Sequence, residues 1–262
     1  MKTTEKIVKI INKKFGVTKV DVAIVVGSGQ ADSMPELKNP VVISYDMLGL
    51  PKSRVSGHSG KFVVGEYNGK IVITVSRYHY YETGDIALVR KPFEIIKALG
   101  AKLVVLLTSS GGLNKKFKVG DIMLIEDHIN YSGVNPLVGI DKLEFIPMTN
   151  AYDKDYRDKV KQFAKENAID LKAGTFIQFS GPTYETMAEV EMARQLGADT
   201  VSMSTTHDCI ICNYLKMKVI GLSLVVNTYH EMEQEPSHEE VLANAQKAMS
   251  ALKVILEQIL NI

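Results

Sequence analysis

The stretch Leu103–Asn130, LVVLLTSSGGLNKKFKVGDIMLIEDHIN, decides the fold. It begins with a continuous apolar run, Leu103–Leu107, which is short enough to be a strand covered on both faces. Lys118–Asp121 then turns the chain into a second predicted strand, Ile122–Glu126. Strands that are buried on both faces are typical of α/β proteins, so this stretch places a helix-covered sheet at the centre of the chain.

The residues between the two strands begin with TSSGG, Thr108–Gly112. This segment is predicted as a loop, because two adjacent glycines permit positive φ angles and close approach of a ligand to the backbone. Its hydroxyl and N–H groups suit an anion. An ordinary tight turn fits the same letters, so the segment is an anion site only if other anion-binding groups meet it.

Composition favours a small-molecule substrate. The 262 residues carry 31 basic and 30 acidic side chains, a formal charge of +1, which gives no reason to expect nucleic acid or an anionic membrane as a partner. No run approaches the ~18 apolar residues that span a bilayer, and the first residues do not resemble a signal peptide. A cytoplasmic location is therefore expected.

Outward from the opening stretch, strands and helices alternate without a linker, which predicts a single α/β domain over residues 1–262. Asn68-Gly69 is the strongest hairpin signal, and 130–152 is predicted as a long loop. Helices are predicted at Glu5–Phe15, Val89–Leu99, Asp155–Asn167, Thr186–Leu196 and Glu239–Asn261. Further strands are predicted at Asp21–Val26, Lys61–Tyr67, Lys70–Ser76, Gly174–Phe179, Thr200–Met203 and Val219–Val226.

Two strand ends carry candidate binding groups. The turn after the first strand, GSGQ at 27–30, resembles a dinucleotide fingerprint but lacks the third glycine, although Ser28 and nearby N–H groups still suit an anion. Strand alternation after Ser76 sends Arg77, His79 and Tyr81 to one side, so that a cation, an imidazole and a phenol converge. An exposed polar strand end is the alternative interpretation.

Cys209 and Cys212 form a C-x-x-C beside His207 and Asp208. A structural zinc site needs a second pair of ligands at similar spacing, and the sequence has none. Both cysteines are interpreted as small apolar helix residues, and no metal site is predicted.

Several stretches together resemble the trimeric type of purine nucleoside phosphorylase, in their order and approximate spacing as well as their letters. They are GSG (27–29), PKSRVSGHSGKFVVG (51–65), RYHYYE (77–82), GGLNKKFKVGDIMLIEDHIN (111–130), NPLVG (135–139), GPTYET (181–186), SMST (202–205) and SHEEVL (237–242). The resemblance implies a mixed twisted sheet or partial barrel flanked by helices, and a homotrimer. It also implies reversible phosphorolysis in purine salvage, with orthophosphate as co-substrate and no metal or organic cofactor.

The resemblance assigns roles to particular residues. It implies a phosphate site formed by Ser28, His58, Arg77, His79, Ser109 and Ser204. It places the nucleoside against Tyr81, Tyr184, Glu185, Met203, Asn227 and His238, with His238 near the ribose 5′-hydroxyl. Asn227, Glu185 and His79 would be the catalytic residues. From the sequence alone, Glu185 also fits an ordinary first-turn residue of the helix that follows it.

Asn227 implies 6-oxopurine substrates, chiefly inosine and guanosine, because related methylthioadenosine phosphorylases have an aspartate there. Some residues depart from the family pattern: Gln30-Ala31 stands for leucine and glycine, Thr108–Ser110 for an Asn-Ala-Ala type sequence, and Thr228 and Tyr229 for other residues. The last two could widen base choice toward xanthosine. Phe145 is the candidate for an aromatic that reaches a neighbouring subunit.

Four other functions stay open at this point. They are a methylthioadenosine or adenosine-type phosphorylase, a non-catalytic nucleoside-binding homologue, a nucleosidase that uses water, and a nicotinamide-dependent oxidoreductase suggested by the GSG turn. Arg77, His79, Glu185, Ser204 and Asn227 together argue against a non-catalytic homologue. Phosphate dependence separates a phosphorylase from a nucleosidase.

Overall fold

A computed structural model describes residues 2–16, 18–55, 60–229 and 238–262 of the chain. Nine strands form one sheet: β1 (Val22–Val26), β2 (Lys38–Ser44), β3 (Lys61–Tyr67), β4 (Lys70–Ser76), β5 (Leu103–Gly112), β6 (Ile122–Asn130), β7 (Leu171–Gln178), β8 (Thr200–Ser202) and β9 (Lys218–Thr228). The helices are α1 (Lys2–Phe15), α2 (Tyr80–Thr83), α3 (Ile86–Ala98), α4 (Lys154–Glu166), α5 (Met187–Gln195), α6 (Thr206–Tyr214), α7 (His238–Ala245) and α8 (Met249–Asn261). Within these ranges, no helix is both long and apolar enough to cross a membrane.

Strand β5 is the junction of the sheet. The strand order is β2-β3-β4-β1-β5-β8-β7-β6-β9, and β9 pairs back with β5, which closes the last five strands into a small barrel. β5 runs parallel to β1 and β9 and antiparallel to β8. The predicted mixed α/β sheet with a partial barrel and flanking helices is confirmed.

Alternation along β5 explains why both faces are covered. Val104 and Leu106 lie in an apolar cluster with side chains of α1, α3 and α6. Leu103, Val105 and Leu107 lie in a second cluster, which contains side chains of α4 and α8. The continuous apolar run therefore belongs to a strand between two helical layers, as its length and composition predict.

The predicted loop at 108–112 is wrong, because β5 continues to Gly112. Ser110 pairs with Val225 and Gly111 with Asn227 of β9, across a register shift that marks a bulge. Pairing with β9 outweighs the weak strand preference of glycine. The glycine at 111 provides room for a neighbour, since a Cβ there would lie 2.7 Å from Tyr229 Cε2.

Other element boundaries also differ from the predictions. The single predicted helix Glu239–Asn261 is divided into α7, a 3-10 turn at Gln246–Ala248, and α8. The alternative interpretation of Glu185 as a first-turn helix residue is not supported, because α5 begins at Met187 with Thr186 as its N-cap. Glu189 completes the capping box with Thr186, which leaves Glu185 outside the helix.

Candidate active site

A cavity of about 300 Å³ opens where β1, β4, β5, β8 and β9 end. It brings together ten of the residues assigned from the sequence: Ser28, Arg77, His79, Tyr81, Ser109, Tyr184, Glu185, Met203, Ser204 and Asn227. His58 and the side chain of His238 lie outside the described part of the chain. Ligands in open α/β sheets bind at the carboxyl ends of strands, so the cavity lies where the fold favours binding.

Arg77 is buried at one end of the cavity, with 1% of its surface exposed. Its Nη1 donates to Ser204 Oγ at 2.7 Å and to Thr205 Oγ1 at 3.1 Å, and Nη2 donates to the Leu107 carbonyl at 2.7 Å. These bonds engage three of the five N–H groups of a guanidinium. The fork is therefore held in one orientation beside the middle of β5.

Asp208, on the first turn of α6, supplies a counter-charge to Arg77. Its Oδ2 lies 3.1 Å from Arg77 Nε, in an ion pair that lacks hydrogen-bond geometry. Burial lowers the pKa of Arg77, and Asp208 acts in the opposite direction. Asp208 received no role from the sequence, because 130 residues lie between it and Arg77 and only the fold brings the two side chains together.

His79 is oriented by Glu82, which also received no role from the sequence. Glu82 Oε1 accepts from the backbone N–H of His79 at 2.7 Å and lies 3.1 Å from its Nδ1. Its other oxygen accepts from Ser53 Oγ and from the Arg54 backbone N–H. Burial raises the pKa of Glu82, but these hydrogen bonds, led by those of His79, lower it to about 2. Burial lowers the pKa of His79, while the bond to Glu82 raises it.

The predicted convergence of Arg77, His79 and Tyr81 is confirmed by the cavity lining, but a regular strand is not its cause. β4 ends at Ser76, and Tyr81 lies on the short helix α2. The His79 and Tyr81 rings stack with centroids 4.9 Å apart and an interplanar angle of 21°. The capping box between His79 and Glu82 holds this turn.

The hydroxyl groups of β5 mostly bond to the protein. Ser109 Oγ donates to the Ser28 carbonyl at 2.9 Å and lies 3.4 Å from Gln30 Nε2. Ser110 Oγ is 2.6 Å from Ser223 Oγ. Two of the positions that depart from the family pattern, Gln30 and Ser109, therefore contact each other and shape the turn that carries Ser28.

The opposite end of the cavity holds Glu185, Asn227 and Tyr229. The Tyr229 hydroxyl donates to Glu185 Oε2. Glu185 Oε1 and Asn227 Nδ2 are buried with no hydrogen-bond partner among the described residues. A buried acceptor and a buried donor without partners are costly, so this end suits a ligand that offers one donor and one acceptor.

The dinucleotide interpretation of the GSGQ turn and the metal interpretation of Cys209 and Cys212 both lose their structural basis. The GSGQ turn leads into a 3-10 turn at Ala31–Ser33 and not into the helix whose N-terminus binds a dinucleotide pyrophosphate. Cys209 and Cys212 are buried free thiols in α6, and burial raises the pKa of both. Within the described ranges, no group of three His, Cys, Asp or Glu side chains could hold a metal ion.

Comparison with known proteins gives consistent matches over almost the whole chain. Residues 21–261 match the model of the phosphorylase superfamily. Purine nucleoside phosphorylase 1 of Bacillus subtilis (strain 168) is 36% identical over 245 residues, covering 91% of this chain and 90% of the relative. Purine nucleoside phosphorylase of Rattus norvegicus is 38% identical over 259 residues, covering 91% and 89%.

A solved structure matches as well. The Schistosoma mansoni purine nucleoside phosphorylase in complex with inosine superimposes with a TM-score of 0.88 at 30% sequence identity, covering 99% of this chain and 96% of that one. The sequence and structure matches agree with each other and with the motifs. The chain is therefore an enzyme that belongs to the purine nucleoside phosphorylases of the phosphorylase superfamily.

Proposed function

We propose that this enzyme catalyses the reversible phosphorolysis of purine ribonucleosides and deoxyribonucleosides, chiefly inosine and guanosine. The products are the free base and (deoxy)ribose 1-phosphate. One observation carries the proposal: a single cavity has a buried guanidinium at one end and the unpartnered Glu185 Oε1 and Asn227 Nδ2 at the other. The guanidinium of Arg77 suits orthophosphate, and the acceptor of Glu185 with the donor of Asn227 suits the polar edge of a purine.

Orthophosphate would bind among Ser28, Arg77, His79, Ser109 and Ser204. Arg77 supplies positive charge that Asp208 and three hydrogen bonds hold in place. His79 supplies an imidazole that Glu82 keeps in one orientation. His58 stays a prediction for the same site. Fixed donors stabilise an anion strongly, because they need no reorganisation during the reaction.

The nucleoside would lie with its ribose against Tyr81 and Met203 and its base against Tyr184, Glu185 and Asn227. A phosphate oxygen bonds to C1′ as the C1′–N9 bond breaks, and the purine leaves with the electron pair of that bond. Negative charge grows on the base, so an Asn227 N–H to N7 strengthens in the transition state. Glu185 would accept from N1–H, and His238 remains a prediction for the 5′-hydroxyl.

The reaction needs no organic cofactor and no metal, since orthophosphate itself is the nucleophile. We also infer a homotrimer, for which the loop between β6 and α4 gives support. Phe145 is 97% exposed on this loop and Leu143 is exposed beside it, and such apolar groups suit an interface between subunits. Analytical ultracentrifugation should give about three times the 29.0 kDa chain mass. A monomer would contradict this assignment.

The proposed activity is tested by release of free base from inosine, guanosine, xanthosine and adenosine, each with and without orthophosphate. We expect phosphate-dependent release from inosine and guanosine. Release without phosphate would identify a nucleosidase, and rapid cleavage of adenosine would overturn the 6-oxopurine preference. No release from any substrate would favour a non-catalytic homologue.

Arg77→Lys should raise the KM for phosphate by about tenfold or more and leave the KM for nucleoside nearly unchanged. Lysine keeps the charge beside Asp208 but loses the planar fork that contacts Ser204 and Leu107. Initial rates at varied phosphate measure the effect. Arg90→Lys is the matched control, because Arg90 bonds to carbonyls of Pro136 and Val138 away from the cavity. An unchanged phosphate KM in Arg77→Lys would refute the assignment.

Asn227→Ala should lower kcat on inosine by roughly 10²-fold, as expected for a lost donor to developing charge. It should weaken the binding of inosine in the absence of phosphate far less, because the ground-state base carries little charge at N7. Steady-state kinetics and equilibrium dialysis give the two quantities. Equal losses in kcat and in binding would show that Asn227 acts on the ground state instead.

A further inference from the structure

Tyr229 lies just beyond β9 and is 6% exposed. Its ring lies against Gly111, where any Cβ would come within 2.7 Å of Cε2, and its hydroxyl donates to Glu185 Oε2. Val201 and Asn227 border the same space over Gly111. The phenol is therefore fixed by close packing at the base end of the cavity.

The bond from Tyr229 makes the two oxygens of the Glu185 carboxylate unequal. Oε2 already accepts from the phenol, whereas Oε1 is buried without a partner in the described part of the chain. A carboxylate with two open oxygens can bind two neighbouring donors at once. Because Oε2 already accepts from Tyr229, only Oε1 of Glu185 is left to accept a hydrogen bond from a ligand without competition.

We propose that Tyr229 is a specificity-determining residue: it restricts Glu185 to reading one donor of the purine edge, so that a 2-amino group adds little to recognition. This inference rests on the proposed function and refines it. Hypoxanthine presents N1–H alone, and Oε1 satisfies it. Guanine presents N1–H and a neighbouring 2-amino N–H, and the second donor has to share Oε2 with the phenol.

Removing the Tyr229 hydroxyl should favour guanine over hypoxanthine. In Tyr229→Phe the ring still fills the space over Gly111, but Oε2 loses its donor. Guanine can then pair with both carboxylate oxygens, whereas hypoxanthine leaves Oε2 buried and unpaired. The ratio of kcat/KM for guanosine to that for inosine should therefore rise by about tenfold, the effect of one hydrogen bond to a charged group.

The pH profile gives a second readout. Burial raises the pKa of Glu185, the Tyr229 bond lowers it, and the nearby carboxylate of Glu189 raises it. Tyr184 is a further titratable group near this pair. Glu185 must be ionised to accept from N1–H, so activity is lost as pH falls through its pKa. Without the Tyr229 bond that pKa rises further, and the acid limb for inosine should move to higher pH.

The experiment measures kcat/KM for inosine and guanosine at saturating phosphate across pH, in the wild type, Tyr229→Phe and Tyr156→Phe. Tyr156 lies on α4 in a separate apolar cluster, so its variant controls for loss of a phenol elsewhere. A higher guanosine-to-inosine ratio with a shifted acid limb in Tyr229→Phe alone supports the proposal. An unchanged ratio in an active Tyr229→Phe enzyme overturns it.

Binding of free bases to the wild type keeps the proposal testable if Tyr229→Phe does not fold. Calorimetry should give dissociation constants for guanine and hypoxanthine within about threefold of each other, less than the effect of a full hydrogen bond. Guanine binding tighter by tenfold or more would overturn the proposal. Failure of the proposed function is a distinct result, because the wild type would then release no base in a phosphate-dependent way.

Discussion

The burial of the Arg77 guanidinium is the constraint on which the site depends. A charge with almost no solvent contact destabilises a fold unless it is paired and hydrogen-bonded. Arg77 meets this requirement with Asp208 and Ser204 of the α6 region and with the Leu107 carbonyl of β5. The end of β4 is thereby tied to β5 and to the first turn of α6. The same contacts that stabilise the charge hold it at the wall of the cavity, where it suits the binding of an anion.

The departures from the family pattern are connected in space. Gln30 is fully buried, and its side-chain amide lies beside the Ser109 hydroxyl, which in turn donates to the Ser28 carbonyl. A leucine and an alanine at positions 30 and 109 would make neither polar contact. Two changes that are unexplained separately in the sequence thus form one hydrogen-bonded unit under the turn that carries Ser28. At the other end of the cavity, Tyr229 and Glu185 form a second such unit.

The sequence predicted what depends on local pattern and missed what depends on distant pairing. Apolar runs, the Asn68-Gly69 turn and the strand ends identified the sheet, and the motifs identified ten residues of the cavity lining. The extension of β5 through two glycines was missed, because β9 supplies the partner bonds. Asp208 was missed because only the folded chain brings the first turn of α6 to Arg77, which follows β4. The sequence alone could not decide between a helix-start role and a site role for Glu185, because Glu189 takes the first-turn role only once the true start of α5 is known.

The two ends of the cavity differ in the charge that they present to the reaction, and this difference bears on the assignment of roles. In the proposed phosphorolysis, negative charge moves from phosphate toward the purine as the C1′–N9 bond breaks. A bare carboxylate at Glu185 would repel that charge, so the proposed mechanism assigns to Glu185 the orientation of the base through N1–H, and to the neutral donor of Asn227 the stabilisation of the leaving group. A phenol that donates to Glu185 withdraws part of the carboxylate's charge. In this proposal Tyr229 reduces the repulsion at the same place where it limits which purine donors Glu185 can accept, and both effects follow from one hydrogen bond.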